Sequence, residues 1–508
     1  MSKRNYLILP ENQSITDTAY PKFRWDEYPN AKSYTLNINK LVNWDYVPFL
    51  KFEGITRPEF DECSFTPPTP LDENGIYSWN ITAVLNDGTE EVIGTYYLAG
   101  PFNYKTHPAN VGVDFSFDGP PSQDVINNYL SRGVNCMLLD ESLGGGLLRF
   151  EENLRMLLYT GAKYIQRAVC SDCWDLRPEK SEVYPRVKAC IDKAHRYDPE
   201  IIFEGGVYEI VNEEVNRTKI PAFVFEAFGL PYEDRNFILD RMIYEDGRFF
   251  NFDTKTGNPD ISQLETQMWF YYRGTLHIDM GCECVHLGST PCMSEIDALE
   301  NGCKGWKRIT DLLHEYGRKH ARRGWVLLNG HAFNMVTDNN ELVFDFNAWL
   351  IHPYIPEGQE PGLPTDDHPQ KIELAPDVNP VALYGKTVGG KHPCGYDVER
   401  TCYVVEFDNY GNDWSIANTP NISMYGTYPW GFEDIGWLCR QPTEYRRYFL
   451  DYAFNRVKEM DGDYGHITLP LLRAGCYIYL HANLPEFGYN AATGDEVAVR
   501  NVFVKDNK

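Results

Sequence analysis

Two hydrophobic periods follow one another along this chain. Up to about residue 105, apolar and polar residues alternate in short runs broken by turn residues, as at 22–25, 33–38, 76–84 and 95–98. Alternation with period two buries one face of each strand, so this stretch predicts a β-sandwich. Gly100-Pro101 and His107-Pro108 then mark a linker. Beyond it, nearly continuous apolar runs alternate with helical patterns, the mark of a parallel sheet covered on both faces. Strands are expected at 111–118, 134–141, 162–169, from 201, and at 282–289, 325–331, 342–349 and 401–410. Between them lie helical patterns such as 123–132, opened by Ser122 as a cap, and 150–159, 182–197, 262–279 and 306–322. Eight such units close a (β/α)8 TIM-type barrel, and a helix over 443–460 completes it. The short strands at 466–472 and 476–481 either close the barrel or form a small β-appendage. The apolar run 221–229 is a ninth candidate, read as a loop or an extra strand above the barrel. The predicted fold is therefore multidomain: an all-β sandwich over 1–105, an α/β barrel over 106–465 and C-terminal strands over 466–508.

The runs PKFRWDEYPNAKSYTLNI and LDENGIYSWNITAV resemble fibronectin type III and related immunoglobulin-like modules. The resemblance implies that Trp25, Tyr34 and Tyr77 or Trp79 are core positions. Such modules commonly precede catalytic domains in bacterial polysaccharide-degrading enzymes.

Charge narrows the partners. The net charge of −26, with no basic run, argues against nucleic acid or an anionic membrane, both of which are bound through clustered Lys and Arg. No apolar stretch approaches the roughly 20 residues that cross a bilayer, and the apolar run in MSKRNYLILPENQ is too short for a signal-peptide core, so a cytoplasmic location is expected. The 13 cysteines are odd in number and scattered, and neither Cys170/Cys173 nor Cys282/Cys284 has a mate at zinc spacing. Reduced, mostly buried thiols follow, with no cofactor and no metal expected. Gly144-Gly145-Gly146 lacks the residues of a phosphate loop.

Candidate chemistry gathers in the stretch 201–229, where Glu204, Glu209, Glu213, Glu214 and Glu226 stand among strongly apolar runs and Gly205-Gly206 interrupts the first of them. In a (β/α)8 barrel the active site lies at the carboxyl ends of the strands. Reading those ends gives Asp118, Asp140 with Glu141, Arg167, Glu209, His286, Asn329 with His331, Asp345 with Asn347, and Glu406 with Asp408. A polar, acidic mouth suits a ligand with many hydroxyls, and 14 % aromatic residues supply flat faces for sugar rings. Glycoside hydrolysis is the chemistry that needs two carboxylates and no cofactor, one holding a proton for the leaving oxygen and the other attacking or activating water. Neighbouring acids and partial burial raise the proton donor's pKa.

The run YEIVNEEVN, from Tyr208 to Asn216, resembles the strand-four motif of the large glycosidase superfamily of (β/α)8 enzymes. Carried over, the resemblance implies Asn212 with Glu213 as the acid/base pair and a nucleophilic Glu ending strand seven, whereas the seventh run counted here carries Asp345. A strand starting at Ile201 ends nearer Glu209. The expected acid is thus Glu209, then Glu213; its expected partner is Glu406, with Glu226 as rival. Asp140, His286 and Asp408 are expected to bind hydroxyls, and Trp414 and Trp430 to stack on the substrate. The expected function is a glycoside hydrolase acting on oligo- or polysaccharide. A non-catalytic carbohydrate-binding or scaffold protein on the same barrel is the alternative, and a metal-dependent lyase or isomerase with Asp140, Glu209 and His286 as ligands is a third. The sugar, the linkage and the oligomeric state stay open.

Overall fold

The computed structural model describes residues 5–57, 62–140, 146–170, 176, 178–332, 334–354, 362–367, 373–376, 386–407, 434–435, 438, 441–473, 478–479 and 495–508. They belong to two compact units, one of residues 1–112, 151–161 and 481–508, the other of residues 113–150 and 162–480.

In the first unit, alternation folds as expected. Leu7–Leu9, Phe23–Trp25 and Cys63–Phe65 form one sheet; Ser14–Ile15, Glu90–Ala99, Ile76–Leu85, Ala31–Val42 and Asp45–Ile55 lie in that order in a second. Leu36, Ile38, Tyr77, Trp79 and Ile81 of the larger sheet share one core with Phe23 and Trp25 of the smaller. Trp25, Tyr34, Tyr77 and Trp79 are all buried. The helix Phe150–Thr160, from its second residue on, and the helix Asp495–Asp506 belong to the same unit. Arg155 joins them through Glu152 and Glu496 at 2.7 and 2.8 Å.

The second unit is a closed barrel of eight parallel strands. In order they are Gly133–Cys136, Tyr164–Val169, Ile202–Gly206, Cys284–Ser289, Leu327–His331, Asn347–Tyr354, Tyr403–Glu406 and Gly465–Arg473, which pairs back with the first. We number them one to eight. Chain order and ring order coincide, as short right-handed βα connections require. Among the helices, Gln123–Leu130 starts at Ser122, whose hydroxyl accepts from the Val125 N–H at 3.3 Å, and Leu264–Met280 ends on Gly281 at φ 100°.

Three expectations change. Residues 111–118 form no strand; Gly465–Arg473 supplies the eighth instead. The alternation in 111–118 has another cause. Phe115 is buried in one core cluster with Tyr164, Ile202, Cys284 and Leu327, the first residues of strands two to five, at the amino-terminal end of the barrel. Its carbonyl is satisfied by the Tyr129 hydroxyl at 2.7 Å rather than by a sheet ladder. The run 221–229 contains an α-helix, Ala222–Ala227, not a strand. Strand six starts at Asn347, so Asp345 precedes that strand instead of ending it.

Truncating Phe115 to Ala is expected to cost about 3–5 kcal/mol in the barrel's denaturant transition without changing its circular dichroism at rest. A loss below about 1 kcal/mol would contradict its role in that core.

Candidate active site

The site begins with a backbone distortion. In strand two, Tyr164-Ile165-Gln166-Arg167-Ala168-Val169, strict alternation would turn Gln166 inward and Arg167 outward. Arg167 instead takes φ 56°, and the register with strand three shifts between Ile165 and Val169. A left-handed non-glycine residue costs roughly 1–2 kcal/mol, and here it turns two successive side chains into the barrel. Gln166 Oε1 accepts from the Thr468 hydroxyl at 2.5 Å. Arg167 Nε and Nη2 donate to Glu406 Oε2 and Oε1 at 2.7 and 2.8 Å.

Glu406, the last residue of strand seven, is 0 % exposed. His331 Nε2 from strand five reaches its Oε1 at 2.8 Å, and Asn135 Nδ2 from strand one reaches its Oε2 at 2.9 Å. Four donor contacts from three other strands fix one carboxylate. Charge-assisted, bidentate geometry is what makes a buried ion pair tolerable.

Glu204 of strand three lies next to this clamp. Its Oε1 accepts the Arg167 N–H at 3.1 Å, and its Oε2 accepts from Asn329 Nδ2 at 2.8 Å and from the Tyr164 hydroxyl. Burial raises the Glu204 pKa; those donors pull it down and the Glu406 charge pushes it up again. Asn329 turns its Oδ1 to His286 Nδ1 at 2.7 Å, which puts the imidazole proton on Nδ1. Among the described residues, His286 Nε2 is a buried lone pair with no hydrogen-bond partner. Burial, followed by the nearby His331 and Arg167, lowers the His286 pKa to about 3. It is a neutral acceptor, its ring 4.7 Å from His331 and 5.4 Å from Tyr208.

Glu209 follows strand three, yet its carboxylate belongs to strand four: Oε2 accepts the N–H of Ser289, that strand's last residue, at 3.0 Å. Glu209 is half-buried, and no other hydrogen bond to its carboxylate is made among the described residues.

No family model matches the chain. No curated protein matches it either. Solved structures give weak likenesses. A cycloisomaltooligosaccharide glucanotransferase from Paenibacillus is 12 % identical over 68 % of this chain and 48 % of its own, with a TM-score of 0.27. This chain therefore spans about half the length of that protein. An α-galactosidase from Thermus thermophilus is 12 % identical over 64 % of this chain and 68 % of its own, at 0.22. An Fn3-like protein from Clostridium thermocellum is 17 % identical over 20 % of this chain and 96 % of its own, at 0.15. Scores this low leave the barrel resting on its strand order.

The structure gathers some expected residues and scatters others. With the strands recounted, Glu406, not Asp345, ends strand seven. His286 joins the Glu406 cluster through Asn329 and His331. Glu213 is exposed on the turn Glu213–Arg217 and pairs with Lys255 at 2.7 Å, and Glu226 is exposed on helix Ala222–Ala227. Neither faces the buried cluster. Asp140 is buried in the turn after strand one. Asp408, Trp414 and Trp430 lie outside the described residues. Asn135, Gln166 and Thr468 went unnoticed in the sequence; the signal was a polar residue inside a mostly apolar strand.

Among the described residues, Asp140, Glu209 and His286 do not form a group fit for a metal. Asp345, His392 and Cys394 do bring donor atoms within 4.8 Å of one another. They engage each other: His392 Nε2 meets the Asp345 carbonyl at 2.8 Å, the Cys394 N–H meets His392 Nδ1 at 3.1 Å, and the Cys394 thiol meets Asp345 Oδ1 at 3.4 Å.

Because the folded His286 pKa lies below its unfolded value, the unfolded chain binds that proton first. Stability is then lost as the pH falls from 6.5 towards about 3, by up to ~1.4 kcal/mol per unit. His195, lowered to about 4 mainly by burial, adds a loss of the same sign. Histidine NMR is expected to show His286 neutral with its proton on Nδ1 between about pH 5 and 8; a midpoint near the ordinary value would contradict the site as described.

Proposed function

We propose that the protein is a glycoside hydrolase acting on oligo- or polysaccharide, with Glu406 and Glu209 as its two carboxylates. The observation that carries the reading is the four-donor grip on Glu406 at the carboxyl end of strand seven. Such a grip keeps a carboxylate ionised and oriented, which is what an anomeric nucleophile or a water-activating base needs. Glu209 complements it. With one oxygen on the Ser289 N–H, its carboxyl can hold a proton on the other and deliver it to the glycosidic oxygen as the bond to the anomeric carbon breaks. The bare Nε2 of His286 suits a substrate hydroxyl.

One observation favours the alternative of a non-catalytic carbohydrate-binding protein. Glu406 is fully enclosed by its partners, so its clamp would serve as the barrel's internal brace while the mouth only binds.

Turnover of a panel of aryl α- and β-glycosides and mixed oligosaccharides separates the two. Glu209→Gln and Glu406→Gln are each expected to lower turnover at least about 100-fold, with the thermal midpoint of Glu209→Gln unchanged. Azide added to Glu406→Ala is expected to restore sugar release as a glycosyl azide if Glu406 attacks carbon. Full activity in both Gln variants would rule out the assignment, and binding without release by the wild type would favour the alternative.

A further inference from the structure

Beside Glu209 stands a hairpin whose aromatic rings the proposed chemistry leaves unused. Phe250–Asn251 and Thr256–Gly257 form a small antiparallel sheet with Val211–Asn212. Asn258 Nδ2 ties this hairpin to the Glu209 carbonyl at 2.6 Å. Phe249 and Phe252 are 48 % and 65 % exposed.

These rings are held in place. Phe252 meets Phe250 edge-on at 5.2 Å, and Phe249 meets the buried Tyr244 edge-on at 5.5 Å. A Cβ on Gly247 would lie 2.7 Å from the Phe252 ring, so glycine there lets the ring lie against the chain. Phe249 takes φ 59°, a left-handed conformation rare for a bulky residue.

Chemistry selects the occupant. The hairpin's cations are spent: Arg248 pairs with Asp246 and Glu295, and Lys255 with Glu213. Among the described residues, neither of these two cations stands without an acidic partner to receive an anionic ligand. Two rings expose far less than the roughly 800 Å² per partner that a stable protein interface buries, and a net charge of −26 repels a second copy. A pyranose unit fits, because its C–H face is apolar and its rim carries hydroxyls.

We infer that Phe249 and Phe252 form a stacking platform for sugar units beyond the point of cleavage, so that the substrate is a neutral glycan of several units. This rests on Glu209 as the acid. Native electrophoresis of the full chain, through gels containing soluble starch, dextran, galactomannan or xyloglucan, tests it. At least one polysaccharide is expected to retard the wild type, and Phe252→Ala to weaken that affinity about tenfold. Phe252→Tyr keeps it, as does Phe223→Ala on helix Ala222–Ala227. Equal retardation of wild type and a Phe249→Ala/Phe252→Ala double variant overturns the platform, and so does the absence of retardation in every gel. Hydrolysis is read separately, from aryl-glycoside and oligosaccharide turnover by the wild type. Silence there together with Phe252-dependent retardation would remove the hydrolase reading and leave the two rings as a glycan-binding surface with no cleavage point beside it.

Discussion

The barrel interior depends on how one carboxylate is kept charged without water. Glu406 is enclosed on every side, and a lone carboxylate in that position would protonate or expel its strand. Arg167 prevents this with a two-pronged contact at 2.7 and 2.8 Å. Reaching inward requires the left-handed turn at Arg167, whose N–H then becomes a donor to Glu204. The same distortion thus orients two acids, one through a side chain and one through a backbone. Asn329 carries the order onward by bonding Glu204 with its nitrogen and His286 with its oxygen. Loss of any member leaves a buried polar atom unpaired, so the network acts as one piece.

A similar economy governs the other buried charges. Lys163 is enclosed by Asp198 and Glu200 at 2.9 and 2.8 Å, and lies 5.0 Å above the Phe115 ring. Glu283 accepts from Arg322 and Arg323 at 2.7 and 2.8 Å, while Arg323 lies 3.7 Å over Phe117. In a chain with 73 acids and 47 Lys and Arg residues, cations are the scarce partner. Several of them are committed to the interior, where an unpaired acid would cost most.

Much of this was legible in the chain. Alternation gave the sandwich core down to Trp25, Tyr34, Tyr77 and Trp79, because a half-buried strand leaves no other pattern. The helices from 123, 150, 264, 304 and 443 follow their apolar stripes and caps. Residues 111–118 misled because an extended core segment buries alternate residues as a strand does, and periodicity does not reveal where the hydrogen bonds go. That single misreading shifted the strand count by one and hid Glu406 as the end of strand seven. Glu209 follows the strand that starts near Ile201, as read, but the reach of its carboxylate across to the Ser289 N–H is a contact no local pattern encodes. The run 221–229 was misread as a loop or strand because six helical residues are too few to show a period distinct from a short apolar strand.

Phe115 has one more consequence. It belongs to the same buried core as the first residues of strands two to five, while the Arg167–Glu406 pair links the last residue of strand seven to strand two. The segment before the first helix is therefore part of the barrel's own core, and loosening it would be felt by four strands at once.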